Sequence, residues 1–104
     1  MAQHYEFRVV GEGEVRARGV LAFVLPQALD LLTRYPKYKV GLSEATSKRD
    51  PSRGVLRLHC LADKTFQAYY EPNTNLPNAG TSPAWIQQVP KMSTSLGKEI
   101  RWRP

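Results

Sequence analysis

Alternation of apolar and polar residues is the main pattern along the chain, and it is clearest in residues 54–71. This stretch, GVLRLHCLADKTFQAYYE, places two runs of β-prone residues on either side of Asp63 and Lys64, a pair that suits a tight turn. We predict an antiparallel hairpin with strands over residues 55–62 and 65–71. Successive side chains of a strand point to opposite faces, so one face of the hairpin is apolar. The opposite face carries Arg57, His59, Gln67 and Tyr69.

Three further segments alternate in the same way. Residues 4–10 and 15–22 predict two strands joined by the turn Gly-Glu-Gly-Glu at residues 11–14. The two glycines do not indicate a phosphate loop, because no helix, third glycine or Lys-Ser/Thr pair follows them. Residues 37–45 predict another strand with a polar outer face.

A helical period appears between these strands. Apolar residues recur at spacings of three and four over residues 26–34, which predicts an amphipathic helix packed on the sheet. Pro26 suits the first position of this helix, and Pro36 is expected to stop it.

Beyond residue 72 the chain becomes rich in Pro, Asn and Gly, which predicts an irregular arm. Within the arm, Ser82 and Pro83 predict the start of a short helix that Pro90 ends. Residues 98–103 predict a short edge strand. Its inward-facing side chains would be Ile100 and Trp102.

Together these elements predict an α+β fold in a single domain: a mostly antiparallel sheet of four to five strands, one helix on one face, and an irregular C-terminal arm carrying a short helix. We assign residues 1–72 to the α+β core and residues 73–104 to the arm, which we expect to pack on the core. The 104 residues suffice for one hydrophobic core.

The charge of the chain narrows the classes of partner. Fifteen Lys and Arg against nine Asp and Glu give a net charge of +6, which favours polyanionic partners by long-range attraction. The single cysteine, Cys60, excludes an internal disulfide and falls on an apolar strand face, where it is a small hydrophobe. No leader-like or membrane-spanning apolar run is present, so we expect a cytoplasmic protein.

Polar side chains of the predicted strands would gather on the sheet face that the helix leaves uncovered. Cations that hold phosphates, beside an aromatic ring that stacks on bases, make such a face a platform for RNA or single-stranded DNA. The alternative is an ordinary solvated face, which also carries charged residues. The candidate residues are Arg8, Arg16, Arg18, Lys39, Arg57, His59 and Tyr69, with Lys48, Arg49 and Arg53 from the loop 46–54.

The first interpretation is therefore a non-enzymatic basic binding module for an anionic partner, with nucleic acid as the favoured ligand. Cations near the C-terminus, Lys98, Arg101 and Arg103, would add to binding or remain solvated. No metal or cofactor is expected, because no Cys/His/Asp cluster has ligand spacing.

Two other function classes stay open. The first is a protein-binding inhibitor or adaptor of phage or mobile-element origin that engages an acidic protein surface, with Trp85 and Trp102 as core residues or interface anchors. The second is a metal-free ribonuclease in which His59 acts as acid or base, Arg57 or Arg18 stabilises the phosphorane, and Tyr69 orients the substrate. Strand 4–10 or 65–71, as an exposed sheet edge, could pair with a second copy of the chain, so a homodimer is possible.

Overall fold

The structure is a computed structural model, and it describes residues 3–45, 52–77, 79 and 82–103. The candidate residues Lys48 and Arg49 lie outside the described residues. Neither helix of the described chain has both the length and the apolar composition needed to cross a bilayer.

Six strands form one sheet, in the order β2-β1-β3-β4-β5-β6. Neighbouring strands are antiparallel except β6, which runs parallel to β5. The predicted α+β class is confirmed, but the sheet is mixed and has one strand more than the four to five predicted. The strands are β1 (Tyr5–Val9), β2 (Ala17–Gly19), β3 (Lys39–Glu44), β4 (Gly54–Cys60), β5 (Phe66–Pro72) and β6 (Ile100–Trp102).

The helices all pack on one side of this sheet. They are α1 (Leu21–Arg34), a 3₁₀ helix (Ala84–Gln87) and α2 (Gln88–Ser95). The arm therefore contributes to the same core as α1, and no helix of the described residues covers the opposite side of the sheet. Buried apolar residues of this core include Val24, Leu25, Leu29 and Leu32 of α1, Phe7, Leu42, Leu56, Leu58 and Phe66 of the sheet, and Trp85, Ile86 and Val89 of the arm.

The predicted hairpin at the centre of the sheet is confirmed. Strands β4 and β5 pair from Gly54↔Pro72 to Cys60↔Phe66. At the turn, Lys64 adopts a φ of +69°, in the left-handed region. The Asp63 carboxylate accepts a hydrogen bond from the Thr65 backbone N–H at 3.0 Å, which stabilises the turn.

The boundary between β2 and α1 was predicted wrongly. We expected a strand over residues 15–22 and a helix from Pro26, but α1 begins at Leu21 and Pro26 lies inside it. Residues 20–23 form a short apolar run in which strand and helix periods cannot be told apart. Leu21, Val24 and Leu25 are buried with helical spacing, so packing on the core decides in favour of the helix.

Two predictions about the C-terminal arm also need correction. Pro90 does not end the helix, because it is the third residue of α2, where a backbone N–H has no intrahelical acceptor. Ser82 is not the cap, since the 3₁₀ helix is preceded by Pro83 and has no side-chain cap. Ile100 and Trp102 share the inward face of β6 as predicted, opposite the buried Phe66 and Ala68, but Trp102 lies at the margin of the core and is 43% exposed.

The edge strand predicted within residues 98–103 is confirmed as β6, but the other predicted edge is wrong. We expected β1 or β5 at an exposed edge, but β2 pairs with β1 and β6 pairs with β5. Both outer strands have only three residues. Such short outer strands present little unpaired backbone.

Candidate functional site

The open face is defined here as the side of the sheet opposite the helices. The strand register places Arg8 beside Gly41, Gly41 beside Arg57, and Arg57 beside Tyr69. Residues directly opposite one another share a face, so these positions form one row across four strands. Three of the candidate side chains, Arg8, Arg57 and Tyr69, are thus brought into line as the alternation predicted.

A second row runs beside the first, two residues along each strand. Lys39 lies opposite His59, His59 opposite Gln67, and Gln67 opposite Arg101. The two rows together concentrate cations and hydrogen-bonding side chains in the middle of the open face.

Gly41 leaves room in the first row for the side chain of Arg57. A Cβ atom at this position would stand 2.8 Å from Nη1 of Arg57 and 2.8 Å from Cγ1 of Val55. The absence of a side chain on β3 therefore leaves the space that the Arg57 guanidinium occupies. This close approach is a reason for glycine inside a buried strand, where it otherwise weakens pairing.

The two rows border a cavity of about 310 Å³, which we call the basic cavity. Its polar wall carries three permanent cations and a single carboxylate, that of Glu71, whose Oε2 lies 3.5 Å from Nε of Arg57. Within the described part of the chain, Lys39 forms no ion pair. The polar residues of the wall are Lys39, Arg57, His59, Tyr69, Glu71 and Arg103.

The pKa of His59 reflects the partial burial and the positive charge of the basic cavity. Partial burial, together with the positive charges of Lys39 and Arg103, holds the pKa of its imidazole below the ordinary value of 6.5. The ring is therefore neutral at pH 7, with one nitrogen available as a donor and the other as an acceptor.

The sequence placed Arg103 among the cations near the C-terminus and not among the candidates on the sheet face, where the structure puts it. Its backbone N–H donates to the Ala68 carbonyl at 2.8 Å, which extends the pairing of β6 with β5 by one residue. Its guanidinium carbon lies 4.9 Å from the ring centroid of Tyr69, within the range of a cation–π contact. The basic tail was visible in the sequence, but its parallel pairing with β5 was not.

A second cavity, of about 570 Å³, lies at the end of β6 and is called the aromatic cavity below. It shares Tyr69 and Arg103 with the basic cavity, so the two are adjacent. Trp102 lies on the helix side of the sheet, opposite the buried Ala68, and is exposed on the wall of this cavity at the β6 edge. The wall also includes Tyr70, Ile86 and Gln87.

Three candidate arginines lie away from the basic cavity wall, and two of them form ion pairs. Arg8 lies 2.8 Å from the Glu6 carboxylate, on the open face. Arg16 lies 3.0 Å from Glu12 in the loop that joins β1 and β2. Arg18, on β2, is exposed at the edge of the sheet.

Arg53 belongs to a different environment. Its Nε donates to the Glu44 carboxylate at 3.1 Å, and that carboxylate is only 12% exposed. Burial, and then the nearby Glu44 charge, raise the pKa of the Tyr5 and Tyr70 hydroxyls, while Arg53 opposes that effect. The structure therefore places Arg53 in an ion pair beside two tyrosines of the core.

The arrangement combines a positive cavity that suits a phosphate or carboxylate with an aromatic cavity next to it. The basic cavity draws its residues from β3, β4, β5 and the residue after β6. Comparison of the chain with protein-family models, curated proteins and solved structures finds no match in any of the three.

Proposed function

We propose that this protein is a non-enzymatic binding module that holds nucleic acid on the open face, with a backbone phosphate in the basic cavity. The observation that carries the proposal is the convergence of Lys39, Arg57 and Arg103 on one cavity from three separate parts of the chain. Phosphate contacts from Lys and Arg supply most of the affinity of nucleic-acid-binding proteins.

The residues of the cavity are suited to different parts of that task. Arg57 has a planar guanidinium that can make two parallel hydrogen bonds to a phosphate, whereas Lys39 acts as a point charge. The neutral His59 offers a further N–H donor. Arg8, in the same row as Arg57, extends the positive surface toward β1.

In the absence of ligand, Glu71 occupies the position on Arg57 that a bound phosphate would take. Its carboxylate contacts Arg57 at the exposed end of the pair, a contact that contributes roughly 0–1 kcal/mol when solvent-exposed. A phosphate can therefore replace it at small cost.

The test is a titration of fluorescently labelled single-stranded RNA, single-stranded DNA and duplex DNA at several salt concentrations. We expect the logarithm of the association constant to fall linearly with the logarithm of salt concentration. Lys39→Ala should weaken binding and reduce the magnitude of that slope by about one. Lys91→Ala is the matched control, because Lys91 is exposed on α2, on the other side of the sheet.

Two results would overturn the proposal: no binding of any probe at low salt, or equal effects of the Lys39 and Lys91 substitutions. The labelled RNA should also be recovered intact after incubation. Cleavage that disappears in His59→Ala would instead favour the metal-free ribonuclease.

A further inference from the structure

We infer that the ligand is single-stranded nucleic acid, with its backbone phosphate in the basic cavity of the open face and an unpaired base that passes round the β6 edge of the sheet into the aromatic cavity. This inference rests on the proposed function and adds the kind of strand and the position of its base.

The basic cavity and the aromatic cavity are neighbours. Tyr69 and Arg103 stand in the walls of both, and the guanidinium carbon of Arg103 lies 4.9 Å from the ring centroid of Tyr69. A nucleotide joins a flat aromatic base to a phosphate through one sugar. The pair of cavities offers an aromatic wall and a cationic wall in the same succession.

The aromatic cavity presents an exposed tryptophan ring on which a base can stack. Trp102 is 43% exposed, whereas the other tryptophan, Trp85, is 5% exposed and packs on Tyr5 with ring centroids 4.9 Å apart. A base can thus stack on Trp102 without displacing a core residue. Gln87, on the same wall, has an amide that can both donate to and accept from the edge of a base.

Single strands and duplexes differ in the groups that they offer to the aromatic cavity. In a duplex the bases are stacked and paired, so the protein reaches only phosphates, sugars and groove edges. A duplex would occupy the basic cavity and leave the aromatic cavity empty. A single strand can present an unstacked base to Trp102, and the cavity volume of about 570 Å³ falls in the roughly 300–1,000 Å³ range of small-molecule sites.

The experiment compares three probes of equal length: a single strand, the same backbone with abasic sites throughout, and a duplex. Stacking of one base corresponds to a roughly 5- to 150-fold gain in affinity, so the intact strand should bind tighter than the abasic strand within that range. Trp102→Ala should abolish this preference and leave the affinity for the abasic strand unchanged. Phe23→Ala, at an aromatic residue 54% exposed on α1, is the control and should change neither affinity.

Tryptophan fluorescence gives a second measurement. The intact strand should quench the emission of the protein, and Trp102→Phe should remove most of the quenching while it keeps the preference for the intact strand, because phenylalanine still stacks. The remaining emission of Trp85, in the core, reports that each variant is folded. RNA and DNA versions of the strand are compared to learn which sugar the site prefers.

The outcomes distinguish this inference from the proposed function. Equal affinity for intact and abasic strands, or an unchanged preference in Trp102→Ala, would overturn the inference and leave phosphate binding in place. Failure of all three probes to bind would overturn both.

Discussion

Removal of the Glu71 charge should strengthen binding, which is the opposite of what most substitutions in a binding site do. Glu71 is the only carboxylate among the described residues lining the basic cavity, and it contacts Arg57 at 3.5 Å. In Glu71→Gln the side chain keeps its size and its ability to accept a hydrogen bond. What it loses is repulsion of the incoming phosphate and competition for the guanidinium.

The size of the gain follows from Coulomb's law. A phosphate held by Arg57 would stand about 6 Å from the Glu71 carboxylate, and two unit charges at that separation in water repel by about 0.7 kcal/mol. Glu71 is 55% exposed, so the value for water applies more closely than that for a protein interior. With the contribution of the freed Arg57, we expect about 1 kcal/mol, or a three- to fivefold lower dissociation constant at low salt.

The assay is the same titration of a labelled single strand, with Asp30→Asn as the control. Asp30 forms an exposed ion pair with Arg34 on α1, and its substitution raises the net charge by the same one unit. Asp30 lies on the side of the sheet opposite the basic cavity, so its variant should bind like the unmodified protein. An equal gain in both variants, or no gain in Glu71→Gln, would refute the assignment of the phosphate to the basic cavity.

Three further predictions concern stability and pH. Burial and two neighbouring cations hold the pKa of His59 below the value of 6.5 that it has in the unfolded chain, so the unfolded chain takes up this proton first. The free energy of unfolding should therefore fall as the pH drops below about 6.5, and it should fall less in His59→Gln, as measured by urea denaturation. Phe66→Ala should cost about 3–5 kcal/mol in the same assay because Phe66 is 1% exposed, and the exposed Phe23→Ala should cost under about 0.5 kcal/mol. Arg53→Ala should lower the free energy of unfolding by about 1–3 kcal/mol, because it leaves the Glu44 carboxylate unpaired. The affinity for single-stranded nucleic acid should not change. Weaker binding without destabilisation would instead place Arg53 in the interface.

The open face could be predicted from sequence because alternation is a local property of each strand. Once β4 and β5 were recognised as a hairpin, the two-residue period predicted that Arg57, His59 and Tyr69 lie on the same side of the sheet. Lys39 and Arg8 joined them through the same rule, applied to β3 and β1.

The parts that could not be predicted depend on contacts distant in sequence. The parallel pairing of β6 with β5 joins residues more than 30 positions apart, and no local pattern specifies it. Arg103 and Trp102 owe their places to that pairing. The early start of α1 similarly reflects burial of Leu21 and Val24 in the core, which outweighed the preference of Pro26 for a first helical position.

The attachment of β6 has a consequence for the dynamics of the protein. This strand has three residues and supplies Trp102, while Arg103 follows it with a backbone hydrogen bond to Ala68. If this segment detached, both cavities would lose a wall, so occupancy of the site and closure of the sheet are thermodynamically linked. Bound single-stranded nucleic acid should therefore slow amide hydrogen exchange in residues 100–103 more than in the central strands β3 and β4. Residues 100–103 would then hold the proposed binding site closed.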